Sequence, residues 1–102
     1  MSNKNINIDL TENFKSTCKR HCDIIETCLL DFEKYGILEL LKNTANSINQ
    51  IKISSKSAGI NNAAKLATYM QDVINFAIEG KLNLYSNDID VLLRANDLFY
   101  GV

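Results

Sequence analysis

The chain has 102 residues, the length of one domain with a single hydrophobic core. Its composition is 46% hydrophobic and 23% charged, as in ordinary globular proteins, and its formal net charge is −1. The charged residues show neither the basic surplus of a nucleic-acid-binding protein nor the acidic run of a disordered tail. No apolar stretch approaches the roughly 20 residues of a membrane-spanning helix, and no signal-peptide pattern is present.

Cysteine and proline usage narrows the class further. Three cysteines, an odd number without an export signal, predict reduced thiols in a cytoplasmic protein. The sequence has no proline, the residue that breaks helix interiors most strongly. We therefore expect one helical domain over residues 1–102, with no cofactor, and with residues 1–8 flexible because they are polar and terminal.

The first predicted helix runs from Leu10 to Tyr35. Asp9 is placed to cap it, with Glu12 at the acidic position of a capping box, and Gly36 is placed to end it in a left-handed conformation. Apolar side chains recur along one face at steps of three and four, which is a helical period. This face holds Phe14, Cys18, His21, Cys22, Ile25, Cys28, Leu29 and Phe32.

The second predicted helix runs from Ile37 to Ala58 and ends at Gly59. The third begins at Asn61 or Asn62, either of which can cap it, and ends at Gly80. The inward face of the second helix is expected to hold Ile37, Leu41, Thr44, Ala45, Ile48, Ile51, Ser55 and Ala58. That of the third is expected to hold Ala63, Leu66, Ala67, Met70, Val73, Ile74 and Ala77.

The fourth predicted helix is capped by Ser86 and carries Asp88 and Asp90 near its positively polarised start. Its apolar surface runs nearly all the way round, which leaves its orientation open. Short links between helices make neighbours antiparallel, so the sequence predicts an all-α, antiparallel up-down-up-down four-helix bundle about 30 Å long. We expect its core to contain Phe14, Ile25, Phe32, Leu41, Ile48, Leu66, Met70 and Val73.

Two segments carry a family resemblance. IKISSKSAGINNAAKL, from Ile51 to Leu66, places a Ser57-Ala58-Gly59 turn at a helix end, before a helix rich in leucine and small residues. EGKLNLYSNDIDVLLRANDLF then supplies a glycine, spaced leucines and a leucine-rich helix with an aspartate. In this order they resemble a histidine phosphotransfer (HPt) domain, particularly the N-terminal phosphotransfer domain of CheA-type chemotaxis kinases. The resemblance covers roughly Ile24 to Phe99.

The reactive residue of that family is missing. Its second helix carries a motif of the type H-S-I-K-G-S-A-G, and alignment on the Ser-Ala-Gly turn places the phosphoacceptor histidine at Lys52, or at Ile53 after a one-residue slip. Lys52 lies about 40° from Ile48, at the edge of the predicted buried face. A lysine ammonium is no nucleophile unless strongly desolvated. A phosphoester at Ser54 or Ser55 is too stable to relay phosphate.

The remaining candidates have simpler interpretations. His21, the only histidine, lies in the apolar stripe of the first helix, and we interpret it as a core or groove-edge residue rather than a displaced phosphoacceptor. Cys18, His21, Cys22 and Cys28 could approach a zinc ion from one helix, but they lack a second ligand pair at a recognised spacing. Cysteine is also a common buried small residue, so no metal is predicted.

A docking surface is the functional hypothesis that these residues favour. Leu30 and Ile53 fall on the polar sides of their helices, either as scattered surface residues or as parts of a docking patch. Lys52 and Lys56, beside Ile53, would give such a patch a basic rim.

We therefore predict a degenerate HPt-like module, not an enzyme. By the resemblance, it binds a response-regulator receiver domain or a histidine-kinase core without relaying phosphate. Two alternatives stay open: an active CheA-type phosphotransfer domain with an unusual acceptor, and a helical adaptor unrelated to two-component signalling. The sequence fits both a complete protein and the first domain of a larger kinase, and it leaves the oligomeric state open.

Overall fold

The computed structural model describes the backbone of residues 3–101 and the side chains of residues 10–100. This part of the chain forms four α-helices, a short 3₁₀ turn and no strand, which confirms the predicted all-α four-helix architecture. The elements are α1 (Asn3–Tyr35), α2 (Leu38–Ser57), α3 (Asn61–Ile78), α4 (Ser86–Leu98) and the 3₁₀ turn (Phe99–Gly101).

The first helix starts earlier than its sequence signals suggest. It is already helical at Asn3, so the predicted cap at Asp9, with its capping box to Glu12, is wrong. Residues 3–9 contain neither glycine nor proline, and nothing in them stops the helix from extending. The predicted flexible stretch, residues 1–8, lies partly outside the described residues and stays a prediction.

The caps of the later helices are also displaced by one residue. Ile60 is the N-cap of α3 and makes no side-chain capping bond, so capping by Asn61 or by Asn62 is wrong. Tyr85, not Ser86, is the N-cap of α4. The carboxylate of Asp88 does accept the backbone N–H of Tyr85 at 2.9 Å, in the first turn where an acid was expected.

The helix ends agree with the sequence. Gly36, Gly59 and Gly80 have φ of 65°, 72° and 77°, the left-handed conformation that glycine adopts without strain. At the end of α2, the N–H of Ile60 donates to the carbonyl of Ser55 at 2.8 Å, the long bond of a Schellman motif.

The length of α1 sets the shape of the molecule. Its 33 residues span about 50 Å at 1.5 Å per residue, and the molecule measures 50 × 21 × 20 Å. The predicted length of about 30 Å is therefore too short. α2 and α4 pack on α1, and α3 packs on α2, whereas α3 and α4 barely touch. Thus α1 and α2 form the spine, and α3 and α4 flank it.

The contacts between α1 and α2 run in opposite directions along the two helices. His21 meets Ser47, with 3.1 Å between Nδ1 and Oγ, while Cys28, seven residues later, meets Thr44. Residue numbers rise along α1 as they fall along α2, which is the order that an antiparallel pair produces.

Five of the eight predicted core residues are buried: Phe14, Ile25, Leu41, Ile48 and Met70. The other three, Phe32, Leu66 and Val73, are only partly buried and pack at the edge of the core. The slight contact between α3 and α4 explains Leu66 and Val73, because both lie on the same edge of α3 and no neighbouring helix covers them fully. Ile37, expected to face inward, is 52% exposed.

This burial pattern predicts the cost of two truncations. Ile48→Ala removes a fully buried side chain and should lower the free energy of unfolding by about 2–5 kcal/mol. Leu66→Ala should cost less, because part of that side chain already contacts solvent. Urea denaturation measures both, with Lys42→Ala as an exposed control that should change stability by at most about 0.5 kcal/mol. Equal losses for Ile48 and Leu66 would contradict the assigned burial.

Candidate functional site

Lys52 joins α2 to α3 through a short chain of polar side chains. It is half-buried, and its Nζ donates to Oε1 of Gln71 on α3 at 2.6 Å. Nε2 of Gln71 in turn donates to Oδ1 of Asn49, one turn back along α2, at 3.4 Å. The position aligned with the phosphoacceptor therefore carries an ammonium that is held by an amide.

The surroundings of Lys52 provide no nucleophile. Its hydrogen-bond partner is neutral, so no adjacent base is there to remove a proton from the ammonium. Both neighbouring serines are buried: Ser55 Oγ donates to the carbonyl of Lys52 at 2.9 Å, and Ser54 is 8% exposed. Both hydroxyls are therefore shielded from solvent in this fold.

A groove lies between α2 and α3, one helical turn from Lys52. It has a volume of about 340 Å³ and is lined by Lys56 of α2 and by Ala64, Lys65, Thr68 and Tyr69 of α3. We call these five residues the α2–α3 groove. None of these five lining side chains is a carboxylate. Lys56, Lys65 and Tyr69 are exposed, so their side chains are accessible to a partner.

The lysines around this groove form no ion pair with a described side chain. Among the side chains that the structure describes, the ion pairs are Lys15–Glu12 and Lys81–Glu79, and both are exposed. Lys52, Lys56 and Lys65 are thus paired with no carboxylate. Three positive charges therefore lie on adjoining turns of two helices, and the nearest carboxylate along α3 is Asp72, one turn beyond Thr68.

The two predicted docking residues, Ile53 and Leu30, lie on different helices. Ile53 is 51% exposed and lies one turn before Lys56, beside the α2–α3 groove. Leu30 is 46% exposed and lies on α1, two residues after Cys28. Cys28 meets Thr44 of α2, and Thr44 lies nine residues before Ile53. Nine residues correspond to about 14 Å along the helix. Ile53 therefore lies next to the groove lysines and Leu30 lies farther from them, and the docking role of each residue stays a prediction.

Sequence reasoning missed the part of the groove that α3 supplies. Neither Lys65 nor Tyr69 was predicted as a docking residue. A signal was present in the sequence, because Tyr69 and Phe76 are seven residues apart and both fall on the polar side of α3. In the structure they are 71% and 48% exposed. The same exposure argument that identified Ile53 would have identified them.

His21 faces α2 from the α1 side. It is half-buried against Ser47, and burial, with a smaller contribution from the Arg20 charge, holds its pKa below the ordinary histidine value. A histidine with this environment is mainly neutral at pH 7, consistent with a groove-edge residue. His21 lies on α1, whereas Lys52, the residue aligned with the phosphoacceptor, lies on α2.

The three cysteines are free and buried. Within the described residues, no group of three His, Cys, Asp or Glu side chains lies close enough to hold a metal ion. Among the described helices, none has the length and apolar character needed to span a membrane.

Comparison with known proteins adds no relative. The chain matches no protein-family model, no curated protein and no solved structure. The resemblance to HPt domains therefore rests on the quoted residues alone.

The lowered pKa of His21 predicts a pH dependence of stability. Unfolded histidine binds a proton more readily than folded His21, so its contribution is complete above the unfolded pKa, about 6.5, and is lost as the pH falls through the folded value. His21→Gln removes this contribution. The variant's free energy of unfolding should therefore fall less than that of the wild type on acidification from about pH 8 to about pH 5. Carboxylates titrate in both proteins, and equal pH profiles would show that His21 does not contribute.

Proposed function

We propose that this chain is an HPt-like protein-binding module that docks an acidic surface of a two-component partner, preferentially a receiver domain, without carrying phosphate. The observation that carries the proposal is the basic α2–α3 groove, with no carboxylate in its lining. Its position next to the aligned phosphoacceptor, Lys52, links the groove to the family resemblance.

Charge selects the class of partner. Three lysines without carboxylate partners attract an acidic surface and disfavour a basic one. By the family resemblance, the partner of this face is a receiver domain, whose phosphorylation pocket is built around aspartates. Ile53 and Tyr69 supply exposed apolar area beside the lysines, of the kind that carries binding energy in protein interfaces.

The proposal excludes a relay for chemical reasons. A relay needs a neutral nitrogen nucleophile that forms a labile phosphoramidate, and the aligned residue is an amide-bound ammonium. The nearby serines are buried, and His21 lies on α1.

Binding is tested by a pair of matched substitutions. Ile53→Asp and Leu30→Asp both place a carboxylate on an exposed apolar position, but only the first lies beside the groove. Receiver domains and kinase cores of the same organism are titrated calorimetrically with each protein. We expect Ile53→Asp to weaken binding about 10- to 100-fold, because it buries an unpaired carboxylate in the interface, and Leu30→Asp to leave it unchanged.

Equal affinities for wild type and Ile53→Asp would reject this face. Absence of binding to every receiver and kinase core would reject the two-component class and favour an unrelated adaptor.

Phosphotransfer is tested separately with a CheA-type kinase and labelled ATP. We expect no acid-labile, base-stable phosphoryl group on the wild-type chain. A label that persists in His21→Ala would reveal an active acceptor that the proposal denies, and one that vanishes would make His21 the acceptor. Lys52→His should gain a label if the scaffold and its docking face are intact.

A further inference from the structure

α4 is the helix with the fewest attachments to the rest of the molecule. It has 13 residues, and it packs on α1 while it barely touches α3. Its buried side chains are Ile89, Leu92 and Asn96, and Phe99 of the following 3₁₀ turn is a fourth anchor. By contrast, α2 has seven buried side chains and contacts both α1 and α3. Segments with few buried contacts are the ones that open at the lowest free energy in a folded protein.

The link between α3 and α4 has the properties of a hinge. It comprises residues 79–85, and all of them are exposed except Leu84, which is partly buried. Its backbone hydrogen bonds run to the two helices that it joins. The first three N–H groups donate to carbonyls of α3, and the N–H of Tyr85 donates to the Asp88 carboxylate of α4. None of these bonds ties the link to α1 or α2, so α4 can swing on the link without breaking them.

The contact between α4 and α1 contains a polar side chain that is only partly satisfied. Asn96 is 2% exposed, and its Nδ2 donates to the carbonyl of Cys22 at 2.9 Å. The thiol of Cys22 in turn lies 3.7 Å from the carbonyl of Asn96. The amide oxygen of Asn96, Oδ1, is buried and accepts no hydrogen bond from the described residues. Water can bond to this oxygen once α4 is released, so its burial weakens the docked state.

We infer that α4 and the 3₁₀ turn form a hinged strap, Ser86–Gly101, that opens as one unit while α1, α2 and α3 stay folded. Opening uncovers the thiols of Cys18 and Cys22, which are 2% and 1% exposed beneath the closed strap. Cys22 lies against Asn96, and Cys18 lies beside Phe99 where the 3₁₀ turn meets α1. Both thiols are therefore open to reagents in solution only when the strap is open. The strap contains no residue of the α2–α3 groove, so this inference and the proposed function stand or fall separately.

The experiment follows native-state amide hydrogen exchange in ¹⁵N-labelled protein and two matched variants. Leu92→Ala removes a strap anchor that is 5% exposed, and it should speed exchange at the α4 amides at least about 30-fold. Ile51→Ala removes a fully buried side chain of α2, one turn after Ser47, on the side that meets α1. It should speed exchange at the slowest α2 amides by a similar factor and leave the α4 amides unchanged, because its contacts persist when the strap opens. Equal acceleration of α4 and α2 in Ile51→Ala would show that α4 unfolds only with the whole molecule, and would overturn the inference.

Two measurements on the wild-type chain keep the inference testable if a variant folds poorly. In a series of low urea concentrations, exchange at the α4 amides should depend less on urea than exchange at the slowest α2 amides, because opening of the strap exposes less surface than global unfolding. Alkylation of Cys22 by iodoacetamide, followed by mass spectrometry, should give the same opening constant as the α4 amides. An equal urea dependence of α4 and α2, or a Cys22 rate that matches the α2 amides instead, would reject a separate opening of the strap.

Discussion

The apolar face of α1 is the constraint on which the rest of the structure depends. Phe14, Cys18, Cys22, Ile25 and Leu29 follow one another at steps of three and four, and all are at most 2% exposed. Burial of a large apolar side chain contributes about 1.5–3 kcal/mol, so this single stripe supplies much of the core. α2 and α4 both pack on α1, whereas α3 is held mainly through α2.

The position of α3 explains why a lysine-rimmed groove exists beside an apolar core. One side of α2 meets α1, where Ser47 contacts His21, and the other side meets α3, where Lys52 contacts Gln71. A long lysine side chain can bury its methylene stem and keep its ammonium at the edge of such a contact. Lys52 therefore has a structural role between α2 and α3, whether or not a partner docks there.

The sequence predicted what depends on local chemistry along one helix. The stripe of α1 follows from periodicity, and Gly36 and Gly59 follow from the left-handed conformation that ends a helix. Asp9 and Ser86 do not cap their helices, because an N-cap residue acts only at the position where a helix begins. α1 is already helical at Asn3, and the N-cap of α4 is Tyr85. The capping contribution, about 1 kcal/mol, does not override that geometry.

The candidate site likewise has a part on α2 that the sequence predicted and a part on α3 that it did not. Lys52, Ile53 and Lys56 lie on one helix, so helical geometry was enough to group them. The contribution of α3 depends on which residues of two helices lie side by side, and periodicity alone does not give that register. The Ser-Ala-Gly turn indicates the family only together with the other matching segments, because its backbone bonds are not specific to it. The Schellman bonds that close α2 at Gly59 recur at the end of α3, where the Lys81 N–H donates to the Phe76 carbonyl at 2.9 Å.

On the proposed function, replacement of histidine by lysine changes more than reactivity. A phosphohistidine brings negative charge to an acidic receiver pocket and loses it when the phosphoryl group moves, which favours a transient encounter. Lys52 brings a permanent positive charge to the same place, and its electrostatic attraction does not end with a chemical step. Shape and a few apolar contacts carry the binding energy, and one side chain carries the reactivity, so the two properties can separate. Such a module would hold an unphosphorylated receiver longer than a phosphotransfer domain does, and would thereby compete with one.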